Sequence, residues 1–239
     1  MDTVLPLLAL GVAAGLLTTL AGQGGGLFLL LALGVIRNPH EALALSSPAL
    51  LLGNLHRAIL YRKDVAWKLA GLFVLGALPA AVIGGLFAGR IPTLAISAVL
   101  VALTVFAISR RVFGFKIGIP ARGFPIAGAV VGFLTGTSGG AGVLVSPLLL
   151  SAGLTARRFV GTAAAVACAI HIGRVGSYVK TGLLHREQLG AVACITVAIF
   201  VGNAIGDRLR KFFSEQSTIR LELGTLVVCV IVSILGISR

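Results

Sequence analysis

Acid is what this chain has least of. Its 239 residues include seven Asp and Glu against twenty Lys and Arg, and only 11% carry charge at all. Four histidines, His40, His56, His171 and His185, complete the set of groups suited to proton transfer. None stands in a catalytic spacing. His40-Glu41 has no second histidine to complete HExxH, no GxSxG nucleophile turn occurs, and no GxxxxGK[ST] phosphate loop is present. The chain therefore reads as a non-enzyme, with no catalytic residues, no metal ligands and no cofactor; ATP could act only through a separate subunit. Cysteine is equally thin. Cys168, Cys194 and Cys229 lie inside apolar stretches without motif spacing, which excludes a disulfide framework or a zinc site and leaves them as small packers. The opening Met-Asp-Thr-Val-Leu-Pro carries no basic flank, so the first apolar stretch is expected to stay rather than be cleaved as a signal peptide.

What fills the chain instead is hydrocarbon. Hydrophobic residues make up 57% and the mean hydropathy is +1.06, more apolar surface than a soluble domain of this length can hide. Weak period-2 alternation excludes a barrel, leaving an all-α polytopic membrane protein with the lipid bilayer as a partner. The net charge of +13 would point to nucleic acid in a soluble protein. Here the basic residues fall in short loops between apolar runs, where they act as topology signals and anionic-lipid contacts, so no nucleic acid is expected. Eight runs, at 4–36, 42–61, 66–88, 92–109, 123–153, 157–179, 186–206 and 217–237, account for nearly the whole length. Six match a single crossing. The other two, 4–36 and 123–153, are too long for one. Each is interrupted by glycine, AGQGGG at 21–26 and TGTSGG at 135–140.

Loop charge decides how the broken stretches run. If each crossed once, the basic residues outside the helices would divide ten to eight and set no orientation. If each turns back at its glycines, thirteen gather on one face, and only Arg37, Arg90, Lys180, Arg186 and Arg239 remain on the other. A bias of that size is what the positive-inside rule describes. The pattern predicts two inverted repeats, each a glycine-broken helical hairpin plus three transmembrane helices. The first repeat is 1–110, a basic cytoplasmic linker is 111–122, and the second, inverted repeat is 123–239. The protein is expected in the cell inner membrane, with both termini extracytoplasmic. Second arms of about a dozen residues, short of the ~20 that span, place the hairpin tips near mid-membrane. Other features recur at an offset of about 114–118 residues, as an ancient duplication would leave them: Gly22 with Gly136, His56 with His171, Tyr61 with Tyr178, and Gly84 with Gly202.

Paired interruptions of this kind are where secondary transporters hold substrate. A helix N-terminus supplies unpaired N–H groups and the positive end of its dipole, and glycine lets backbone come close. Two such termini facing each other suit a small oxyanion. The expected binding residues are Gln23, Gly24, Gly25 and Gly26 in the first break, and Thr137, Ser138, Gly139 and Gly140 in the second. Ser46, Ser47 and Thr162 lie one to two turns into their helices; their hydroxyls either reach the tips or, as is commoner, bond their own backbone. Asn54, Arg57 and Arg174 are polar groups inside apolar runs, a costly placement. The arginines either line the anion path or snorkel to the surface. His56 and His171 are proton-coupling candidates by their repeated position and by titration near neutrality, with neutral packing as the alternative. The glycines admit a second reading, since Gly128, Gly132, Gly136 and Gly140 repeat every four residues as a helix-packing ridge. Trp67, Tyr61 and Tyr178 fall at segment ends, as interface anchors do. Asn203 and Asp207 read as interfacial, and Glu222 is the one acid placed inside a membrane run.

The GxGGG-like motif early in each half, followed by a Ser- or Thr-bearing crossing, resembles the sulfite exporter TauE/SafE family over nearly the whole chain. The resemblance implies a bacterial-type exporter of small sulfur oxyanions or organosulfonates. The second motif, TSGGAG, is less uniform in glycine than that pattern, and the first arm runs Leu-Ala-Leu-Gly with no counterpart of Pro147. Together these readings describe a secondary transporter of a small sulfur-containing anion (sulfite, sulfonate or thiosulfate) working by alternating access, with proton coupling and a homodimer both left open. A passive anion channel and a non-transporting membrane assembly protein are the alternatives.

Overall fold

A computed structural model describes residues 4–21, 24–114, 118–154, 156–214, 217, 220–221, 223–228 and 230–231. Gln23, Glu222 and Cys229 lie outside the described residues. Within them the chain is helical, with no strand. In order come α1 (Val4–Ala21), α2 (Gly25–Ile36), α3 (Pro39–Leu60), α4 (Trp67–Ala88), α5 (Thr93–Phe113), α6 (Phe124–Ser138), α7 (Val145–Ser151), α8 (Ala156–Lys180) and α9 (Leu189–Leu209). A 3-10 turn over Gly140–Leu144 leads from α6 into α7. Among the described residues, five helices are long and apolar enough to cross a membrane: α3, α4, α5, α8 and α9. Around them the large side chains Leu75, Ile126, Ile172 and Val197 face outward, an apolar surface that needs lipid.

Local chemistry sets where the helices begin and end. Asn38 caps α3 by accepting a hydrogen bond from the Glu41 amide at 2.8 Å, with Pro39 in the first turn, where its missing N–H costs nothing. Both over-long stretches are interrupted at glycines in left-handed conformations, Gly24 at φ 95° and Gly139 at φ 83°. Only glycine adopts those angles without strain. A Cβ on Gly25 would run into Ala14 O and the Thr18 hydroxyl of α1. So α2 starts back alongside α1 instead of prolonging it.

The closest packing joins helices far apart in the chain. α4 lies along α6, and α1 along α9. On α6, a Cβ at Gly128, Gly132 or Gly136 would strike the carbonyl of Phe73, Ala77 or Ala81. Gly76 and Gly84 of α4 meet Pro125 O and Phe133 O in return. The other pair repeats the pattern: Gly11 and Gly15 face Ile195 O and Ile199 O, and Gly202 faces Val12 O. Backbone approach this close is what holds helices together where lipid offers no hydrophobic drive. The ridge reading therefore describes Gly128, Gly132 and Gly136. Gly140 leaves it, lying in the 3-10 turn against Leu100 and Leu27.

Polar side chains cross-link the bundle. Thr19 Oγ1 donates to Asn203 Oδ1 at 2.9 Å, and Asn203 Nδ2 donates to Gly53 O at 3.2 Å, tying α1, α9 and α3 together. Asn203 is thus buried rather than interfacial, because its amide satisfies groups on two other helices. Tyr61 and Tyr178 depart from the expected anchor role in the same way. The Tyr61 hydroxyl donates to Asp207 Oδ1 at 2.5 Å and that of Tyr178 to Gly136 O at 2.7 Å. Both rings are buried, while Trp67 is 62% exposed at the start of α4. Cys168 is buried and Cys194 half-buried, and both are free thiols.

Candidate functional site

The two breaks meet in one place. Gly24 and Gly26 from the first, with Gly139, Gly140 and Gly142 from the second, line a cavity of about 90 Å³. That is several times the roughly 10–15 Å³ needed to hold one water. Its first wall is backbone. α2 begins at Gly25, and Phe28 N bonds Gly24 O at 2.8 Å, so the amides of residues 25–27 form its first turn, the end at which a helix leaves N–H groups without intrahelical partners. Gly24, Gly26 and Leu27 all border the cavity. Gly25 turns its open side to α1, as described above.

The opposite wall differs from the sequence expectation. α6 continues through Ser138 and closes when Gly139 N bonds Thr135 O at 2.9 Å. Thr137 and Ser138 are therefore still helical. The Thr137 hydroxyl sits 3.1 and 3.0 Å from Phe133 O and Leu134 O, and that of Ser138 2.8 Å from Leu134 O. Neither lines the cavity; Thr135 does, one turn ahead of the break. Thr18 borders it from α1. These two threonines escaped the sequence reading, although a hydroxyl residue about one turn before each glycine cluster was the available signal.

Arg57 and Arg174 are 4% and 0% exposed, so neither snorkels. Arg57 borders the cavity from α3, its Nη1 donating to Thr18 O at 2.9 Å and its Nη2 to Asn54 Oδ1. Asn54, also at the wall, is fixed in turn by donating from Nδ2 to Leu50 O at 2.7 Å. Arg174 stands further back on α8. Its Nε donates to the Tyr178 hydroxyl at 3.3 Å, and its Nη1 lies 3.2 Å from His171 Nδ1. Among the described residues neither guanidinium has a carboxylate partner, and no acid lines the cavity. Buried cations without counter-charge are costly. The cavity thus has a cationic wall that, among the described residues, no negative charge faces.

His171 lines this cavity, and His56 does not. His56 instead tilts against Phe200, the ring centroids 5.2 Å apart. Register explains the difference. Leu50 and Ala167, Asn54 and His171, Arg57 and Arg174, and Tyr61 and Tyr178 form pairs at one constant separation along α3 and α8, and the first two pairs all border the cavity. The positional counterpart of His171 is therefore Asn54. Ser46 donates weakly to Leu43 O at 3.5 Å, and Ser47 is wholly buried with no partner for its hydroxyl among the described residues. Thr162 donates to Arg158 O at 2.7 Å and accepts from Ala66 N at 2.9 Å, capping the approach to α4. None of these three hydroxyl residues borders the cavity.

The family model described as Sulfite exporter TauE/SafE matches residues 7–234. No curated protein and no solved structure matches the chain significantly. The family match spans both glycine breaks and every residue of the cavity. This multi-pass helical membrane protein belongs to the sulfite exporter TauE/SafE family, whose business is moving sulfur anions across membranes.

Proposed function

We propose that the protein is a secondary transporter that exports a small sulfur-containing anion, sulfite, a sulfonate or thiosulfate, by alternating access. The observation that carries this reading is the convergence of both breaks and the buried Arg57 guanidinium on one cavity that, among the described residues, no acid lines. An oxyanion entering it exchanges water for the amides of residues 25–27 and the Arg57 fork, which Asn54 and Thr18 O hold in place. Export, as opposed to uptake, rests on the family. His171, at the wall, is the one histidine placed to couple a proton to this site.

The halves 1–110 and 123–239 are then inverted repeats joined by a cytoplasmic linker, 111–122, in the inner membrane with both termini outside. The matched glycine–carbonyl contacts of α1 with α9 and of α6 with α4 support a duplication, since each pair joins a first arm to the second crossing after the hairpin of the other half. Because those pairs lock the halves together, the bodies that move in alternating access each draw helices from both halves.

Orientation is testable directly. In a chain with Cys168, Cys194 and Cys229 changed to alanine, Lys63→Cys and Arg186→Cys should label from opposite faces. Arg186→Cys should react with an impermeant maleimide in intact cells, and Lys63→Cys only after lysis. Labelling from the same face would mean that the broken stretches cross once. Transport is tested by charge movement of purified protein in liposomes on a solid-supported membrane. Jumps of sulfite, thiosulfate, sulfonates, sulfate and chloride, with and without a pH gradient, should give a saturable response to sulfur anions. Unsaturable flux indifferent to an opposing gradient would mark a channel instead.

A further inference from the structure

We propose that Arg174, behind Gly139, is a second anion station, to which an anion held at Arg57 passes during transport. This rests on the transporter reading above. Arg174 is wholly buried, and its Nη2 has no hydrogen-bond partner among the described residues, although Nε and Nη1 are engaged. A guanidinium has five N–H donors, and buried donors are almost always satisfied. Here the unsatisfied end points at the second break. A Cβ on Gly139 would lie 3.0 Å from Nη2, and 2.7 and 2.8 Å from the Leu30 and Leu43 side chains. Gly139 and His171 border the cavity and Arg174 does not, while both lie against its guanidinium, so the cation sits one layer behind the wall.

The placement mirrors Arg57. The two arginines hold equivalent register on α3 and α8, yet both Nη groups of Arg57 already give one hydrogen to protein acceptors, leaving the second free for a ligand, while Nη2 of Arg174 gives none. Tyr178 fixes the Arg174 guanidinium, accepting from Nε while donating to Gly136 O, one turn before the break. Two buried cations flanking Gly139 give a small oxyanion somewhere to go when the cavity changes its access. The ligand must be compact and carry at least two oxygens, because a planar fork engages such a group in a way a lysine cannot.

The test compares binding with flux, using sulfite and thiosulfate as probes on purified protein. Affinity is read by calorimetry and exchange rate by counterflow in liposomes. Arg174→Gln should slow exchange about 10- to 100-fold, the scale of losing charged hydrogen bonds, while Kd shifts far less. Arg57→Gln should lose binding itself. Arg174→Lys keeps the charge without the planar fork, and should lower the rate with little change in Kd; it covers the case in which Arg174→Gln fails to fold. Normal exchange by either Arg174→Gln or Arg174→Lys would overturn the station. So would an Arg174→Gln Kd as weak as that of Arg57→Gln, which would make the two arginines one site. Wild-type protein that neither binds nor moves either anion would overturn the transporter reading, and the station with it.

Discussion

Arg57→Gln is expected to abolish sulfur-anion binding while leaving a folded protein. Among the described residues Arg57 is the one Lys or Arg side chain bordering the cavity, and its fork is held by Thr18 O and Asn54 Oδ1. Glutamine keeps one donating end but loses the charge and the fork. Each charge-assisted hydrogen bond is worth about 1.5–3 kcal/mol, and every 1.4 kcal/mol or so is tenfold in affinity. Losing a bidentate contact therefore weakens binding by at least about a hundredfold. Stability should move the other way. A buried cation with no carboxylate partner raises the free energy of the empty protein, so neutralising it should hold or raise the melting temperature. A purely structural Arg57 would instead lower it. Calorimetry of sulfite binding beside a thermal melt reads both effects, and unchanged affinity would remove Arg57 from the site.

Gly132→Leu is expected to prevent assembly of the bundle. A Cβ at that position would meet Ala77 O, with the Ala77 Cα at 2.7 Å and its carbonyl carbon at 2.8 Å. The obstacle is backbone, which cannot swing aside as a side-chain tip can. Overpacking a core typically costs about 1–3 kcal/mol, but here it also separates the neighbouring Gly128 and Gly136 contacts with Phe73 O and Ala81 O. Lipid supplies no hydrophobic force to restore them. Gly71→Leu is the matched control, because a Cβ there meets nothing within 4 Å. Fluorescence-detected gel filtration in mild detergent should give a sharp peak for Gly71→Leu and an aggregated profile for Gly132→Leu. A monodisperse Gly132→Leu would mean that α4 and α6 tolerate wider spacing.

Hydropathy located the helices because the bilayer imposes their length. The apolar runs 42–61, 66–88 and 92–109 lie within a few residues of α3, α4 and α5. The breaks were equally legible, since left-handed backbone at Gly24 and Gly139 demands glycine. Facing was not. A helix turns about 100° per residue, so whether α6 stopped before or after Ser138 decided whether Thr135 or Thr137 reached the cavity. An offset of 114–118 residues left the pairing of positions open in a similar way. Matching the two histidines sets His56 opposite His171, whereas the arginines and tyrosines give the offset that the cavity walls follow. Tyr61 and Tyr178 sit at helix ends, as anchors do, but end position carries no information about which way a side chain points. The arginines could be read either way until their burial was known.

The pairing of α1 with α9 has a consequence for how the protein is made. α1 leaves the ribosome long before α9, and the carbonyls that its glycines fit belong to Leu189–Leu209. At about 5–20 residues per second, translation leaves α1 without its α9 partner for on the order of ten to thirty seconds. α6 follows α4 much sooner. A chain cut short after α6 would thus complete one glycine seam and leave the glycines of the other facing lipid.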